Sequence, residues 1–163
     1  MGIAASELCR YVIRPTLMYL GRHNQAAEAL LLGVAASQSA LGAELDSQRG
    51  HGLYSIADAQ HRRLWDEYLA HDPDLASLVR GLASQHAFLT GPDMELTVNL
   101  RYSTAIAWLM VEASHISLPP ADDSLAMAQM WREIFQPEGQ LQFFTSAWQT
   151  WVSPLFQPSA AIS

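Results

Sequence analysis

Apolar positions recur at helical spacing along most of the chain, and no run alternates convincingly at period two. Leu8, Tyr11, Val12, Leu17 and Leu20 define a first element over Ile3 to Leu20, with Pro15 expected to bend it or split it in two. Asn24 can cap a second helix, Gln25 to Leu41, whose centre from Ala29 to Ala36 is apolar on every side and therefore belongs inside a bundle. Gly42 ends it, and Ala43 to Gly52 read as a polar loop. Asp58 starts a helix to about Ala70, and Asp72-Pro73 caps another to about Phe88. Gly91-Pro92-Asp93 opens a long helix to Ser117, stopped by Pro119-Pro120. Two more follow, Asp122 to Phe135 and Leu141 to Val152. The pattern predicts an all-α domain of six or seven helices around a buried central one, spanning residues 1–152, with 153–163 (SPLFQPSAAIS) as an extended tail.

Composition narrows what such a domain can do. Its 163 residues are half apolar, enough for one core and too apolar for disorder. The nine basic residues are all arginine, which excludes Schiff-base chemistry, and a net charge of −7 argues against a nucleic-acid surface. Cys9 stands alone, so neither an intramolecular disulfide nor a cysteine metal cluster can form. Glu7, Arg10 and Arg14 interrupt the N-terminal apolar residues before they reach signal-peptide or membrane-span length.

Motifs for zinc proteases, nucleophilic serines and phosphate loops are missing, and the six histidines show no ligand spacing beyond the loose pair His61 and His71. No metal or cofactor is expected. His61 reads as a structural hydrogen-bonding residue and Trp65 as core. Trp131, Trp148 and Trp151 fall at helical spacing with Phe135, Phe143 and Phe144 and read as an apolar helix face. That face is wider than one core contact requires. Phe143, Phe144, Trp148, Trp151 and, in the tail, Phe156 are the candidates for binding a partner.

A resemblance enters at Gly33 to Gly42 (GVAASQSALG), followed by Gly52-Leu53-Tyr54, His61, Trp65 and Tyr68-Leu69. The order of an apolar helix with a small-polar end, a loop, Gly-Leu-aromatic and a helix resembles the lysozyme-like, lytic-transglycosylase-like proteins of tailed bacteriophages and prophages. Val12 to Leu17 with Tyr19-Leu20-Gly21, Asn99-Leu100 with Tyr102, and Leu118 to Asp123 with Trp131 extend the likeness over residues 7–136. The resemblance implies a glycan cleft at Gln38, Ser39, Tyr54, Ser55 and Asn99.

Glycosidic cleavage needs a proton delivered to the leaving oxygen, normally by a carboxylic acid. The family's acid aligns with Gln38, and its substrate-positioning glutamine with Ser55. Losing the acid costs on the order of 10²- to 10⁴-fold in rate. The resemblance therefore implies a non-catalytic virion component, made in the bacterial cytoplasm and held by other phage structural proteins or by copies of itself. Two alternatives stay open: a peptidoglycan-cleaving enzyme using Glu44 or Asp46 as a relocated acid, with His51 a further proton carrier, and a module that binds peptidoglycan without cutting it.

Overall fold

The computed structural model describes residues 2–45, 50–83 and 91–156. Among these the chain is all-α, with eight helices and no strand. The first, α1, runs as an α segment Ala5–Leu8, a π-helical stretch Cys9–Ile13 and a second α segment Arg14–Leu20. Pro15 neither breaks nor splits it. A proline lacks the N–H that would bond one turn back, and the wider π turn just before it absorbs that loss.

Helix α2 (Gln25–Ser39) is capped by Asn24, whose side chain accepts from Ala27 N at 2.8 Å. Every residue from Ala27 to Ser39 is buried, as a helix apolar on all sides requires. It ends two residues earlier than the glycine signal predicts, because Ala40 and Leu41 themselves adopt positive φ of 52° and 57°. Helix α3 (Asp58–Glu67) is followed by a separate 3₁₀ turn, Leu69–His71. Helix α4 (Pro73–Leu82) begins at the predicted Asp72 cap, which accepts from Leu75 N. Its expected continuation to Phe88 lies outside the described residues.

The long helix expected after Gly91 is two, α5 (Pro92–Val98) and α6 (Leu100–Ser114). Asn99 leaves helical geometry between them, and its Oδ1 caps α6 by accepting from Tyr102 N at 3.0 Å. An asparagine that can satisfy a fresh helix start favours the break over continuity. Helix α7 (Ser124–Ile134) starts from an Asp123 cap. Helix α8 combines Leu141–Ala147, a π stretch Trp148–Val152 and Ser153–Phe156. The predicted tail boundary at 153 is thus four residues early; 157–163 lie outside the described residues.

Helix α2 packs against α8, α6 and α1. The approach to α8 is close: a Cβ on Gly33 would sit 2.5 Å from Phe144 Cζ, so only glycine fits there without repacking. Phe144 packs against Trp131, tilted at a ring-centroid distance of 5.6 Å, and stacks on Trp148 at 6.2 Å. Phe144 and Trp148, expected on a partner-binding face, are therefore core, at 0% and 4% exposure. Phe143 and Trp151 remain outside, at 57% and 48%.

Candidate functional site

Four of the five residues expected to line a cleft meet at one joint, and all four are buried. Residues Gly52 to Ser55 form a tight elbow closed by an isolated antiparallel bridge between His51 and Ile56. Gly52 and Ser55 take positive φ of 79° and 48°, which reverses the chain within four residues. The elbow is pinned to the end of α2 by side chains from both partners. Gln38 Nε2 donates to the Tyr54 carbonyl at 3.3 Å, and Ser55 Oγ donates to the Gln38 carbonyl at 3.0 Å. Ser39 Oγ donates to the Leu53 carbonyl at 2.6 Å and accepts from Gly42 N at 3.0 Å. The Tyr54 hydroxyl reaches Thr104 on α6 at 2.8 Å, and burial pushes its pKa upward, which keeps it a donor.

The arrangement satisfies buried polar groups that would otherwise destabilise the joint. Gln38, Ser39, Tyr54 and Ser55 are at most 6% exposed. Asn99, the fifth expected cleft residue, is engaged as a helix cap, with Nδ2 donating to the Leu82 carbonyl at 2.7 Å and to Glu95 Oε2 at 2.8 Å. Glu44 is exposed in the loop after α2, and Asp46 lies outside the described residues. His51 pairs with Asp58 Oδ1. His61 is buried and joins α3 to α5 and α6, with Nδ1 2.8 Å from Asp93 Oδ1 and Nε2 2.7 Å from the Tyr102 hydroxyl. Trp65 Nε1 donates to the same hydroxyl at 2.9 Å, and Arg80 lies 5.1 Å over its ring.

The elbow makes a direct prediction for the acid position. Gln38→Glu replaces an N–H donor by a carboxyl whose ionised form would face the Tyr54 carbonyl, acceptor against acceptor, at a cost of about 1–3 kcal/mol. Protonated, it can donate as the amide does. Its folded-state pKa is therefore raised above the ordinary value of roughly 4.3, so the folded state holds the proton longer than the unfolded one. The variant should match the unaltered protein at acid pH and fall behind as pH rises through the raised value. Urea unfolding across a pH series checks this; a stability difference independent of pH would contradict it.

A second polar cluster gave little warning in the sequence. Glu28, the one charged residue of α2, is buried and accepts from Arg14 Nη2 at 2.9 Å, Arg14 Nε at 3.0 Å and Cys9 Sγ at 2.9 Å, with His23 Nε2 also bonded to it. Burial alone would raise its pKa, but those hydrogen bonds and the Arg14 charge outweigh it and hold the carboxylate below the usual range. Burial, then the neighbouring Glu28, pushes the Cys9 thiol up to about 12, so it stays protonated and unreactive at neutral pH. The cluster borders a cavity of about 470 Å³ between α1, the start of α2 and the end of α8. A wider groove of about 550 Å³ lies between α3, α6 and α7, with Arg63, Glu67, Tyr68, His115 and Glu133 around Leu64 and Met110. Gln38, Ser39, Tyr54 and Ser55 line neither. Among the described residues no group of three or more histidine, cysteine or acidic side chains is placed to hold a metal ion, and no helix is long and apolar enough to cross a membrane.

No protein-family model, curated protein or solved structure matches the chain. The class defined by the fold is an all-α domain whose central helix is buried from Ala27 to Ser39. Its polar constellations include a joint between that helix and a tight elbow, and the Glu28 cluster at the helix start.

Proposed function

We propose that this chain is a non-catalytic structural component of a bacteriophage particle, built on a lysozyme-like helical arrangement. One observation carries the reading: the side chains at the two positions where the resemblance needs an acid and a substrate-orienting amide are both spent on backbone carbonyls of the joint itself. Gln38 holds Tyr54, and Ser55 holds Gln38. An amide has no proton to deliver to a leaving oxygen, and this one is already engaged within the protein. Its neighbours Ser39 and Tyr54 are engaged in the same way. Fold likeness leaves chemistry to the site, and the site here serves stability.

The test is mass spectrometry of products released from purified peptidoglycan by the protein, beside a buffer blank and an active lysozyme. No release above the blank is expected. Muropeptides released by the unaltered chain, and lost in Glu44→Gln or Asp46→Asn, would replace this reading with that of an enzyme using a relocated acid. Retention of the protein on insoluble peptidoglycan without product would instead assign glycan binding.

A further inference from the structure

Helix α8 carries two rows of side chains at four-residue spacing. Phe144, Trp148 and Val152 form the inner row, at 0%, 4% and 0% exposure. Phe143, Ala147, Trp151 and Leu155 form the outer row, and its three large members are 57%, 48% and 40% exposed. In a regular α-helix a four-residue row drifts by about 40° per step. The π stretch Trp148–Val152 has a wider turn, which rotates the row back and keeps both stripes aligned along the helix. Among the described residues the outer stripe is thus an apolar strip that stays largely exposed, with Trp131 beside Phe143 at one end and the cavity at Arg10 and Arg14 beside Leu155 at the other.

Charge narrows what can cover it. The chain has a net charge of −7, yet no charged residue occurs from Gly139 to Ser163. An anionic membrane is repelled by such a molecule, and α8 itself carries none of the arginines or lysines of a membrane-surface helix. A second copy of an anionic protein is repelled too, except through a face without charge. Interface centres are depleted of charged residues for the same reason.

The stripe also complements itself. Read forward it is Phe, Ala, Trp, Leu, and an antiparallel copy presents Leu, Trp, Ala, Phe. A twofold axis crossing between Ala147 and Trp151 sets Ala147 against Trp151 of the second copy, small against large, and Phe143 against Leu155. Leu155 and Phe156 border the cavity of about 470 Å³ at the Glu28 cluster, and in that register the Phe143 ring of a second copy would lie near its mouth.

We infer that the outer face of α8 is the interface of an antiparallel, twofold homodimer. The inference does not depend on the absence of catalysis. A strip about 24 Å long and about 10 Å wide offers roughly 240 Å², well under the patch of roughly 800 Å² per partner in a standard interface, so the dimer is expected to be weak and concentration-dependent.

Sedimentation equilibrium over a concentration series checks it. The expected result is a shift from the 18.0 kDa chain to twice that mass, abolished by Trp151→Glu. Trp151 is half exposed, and an unchanged circular-dichroism spectrum and melt would show that the variant folds. Mixing Phe143→Cys protein with Leu155→Cys protein under mild oxidation should give a mixed disulfide dimer, with much less homodimer from either alone. A chain that stays monomeric throughout the series overturns the inference, and flotation of that monomer with neutral phosphatidylcholine vesicles would assign the face to lipid. Equal cross-linking of each single variant with itself overturns the antiparallel register.

Discussion

Gly52→Ala is expected to lower the melting temperature by roughly 4–20 °C. Two penalties add. Gly52 has φ of +79°, a conformation that costs an L-residue about 1–2 kcal/mol. An added Cβ would also lie 1.7 Å from the Leu96 carbonyl oxygen and 2.6 Å from its carbon. That contact is with backbone at the end of α5 and cannot be relieved by turning a side chain, so an overpacking cost of about 1–3 kcal/mol or more follows. For a chain of this size each kcal/mol moves the melting point by about 2–4 °C. Gly21→Ala is the internal control: Gly21 has φ of +72°, but a Cβ added there would meet nothing within 4 Å, so it should show the conformational part alone. Equal melting shifts for the two variants would mean that the elbow does not press on α5.

Glu28→Ala is expected to cost about 2–3 kcal/mol at neutral pH. Removing one partner of a buried ion pair costs more, about 3–5 kcal/mol, when the surviving charge is trapped. Here Arg14 is 46% exposed and water can take over much of its solvation. What is lost is the tie between the π stretch of α1 and the first turn of α2. The pH dependence follows from the depressed carboxylate. Above the unfolded-state value of roughly 4.3 the full stabilisation is present; it disappears as pH falls through the lower folded-state value, because protonation then removes the acceptor that Arg14, Cys9 and His23 share. Glu28→Gln should therefore flatten the acid side of the stability profile and be least harmful at low pH. Chemical denaturation at a series of pH values reads this directly, and an acid limb unchanged in Glu28→Gln would contradict it. Thiol labelling gives a second readout: Cys9 should react faster in Glu28→Ala, having lost the acceptor that helps keep it protonated.

Much of the fold was legible because helices announce themselves locally. Asn24 and Asp72 were readable as caps since a cap bonds only two or three residues ahead. The all-round apolar character of α2 was enough to place it at the centre. The split at Asn99 was missed because apolar periodicity continues across it, while the competing interactions reach Leu82 on another helix. The extension of α8 to Phe156 was missed because Pro154 reads as a breaker. At the second position of a new α segment its lost N–H has no cost, since the preceding π stretch leaves that group free of the usual partner.

The candidate site was less legible, for a physical reason. Gln38, Ser39, Tyr54 and Ser55 were identifiable as a group from motif order, but whether such residues face solvent or one another depends on hydrogen bonds 14 to 17 positions apart in sequence. Likewise Phe143 and Phe144 are adjacent and equally apolar. One is exposed and the other is pressed on Gly33, according to where α2 lies. Residue order alone settles the helical character, the central helix, the lack of lysine and the charge-free C-terminal stretch, since each is a local or additive property of the chain. The burial of the elbow, the Glu28 cluster and the choice between the two rows of α8 arise only when distant segments meet, because burial and hydrogen-bond partners are set by packing.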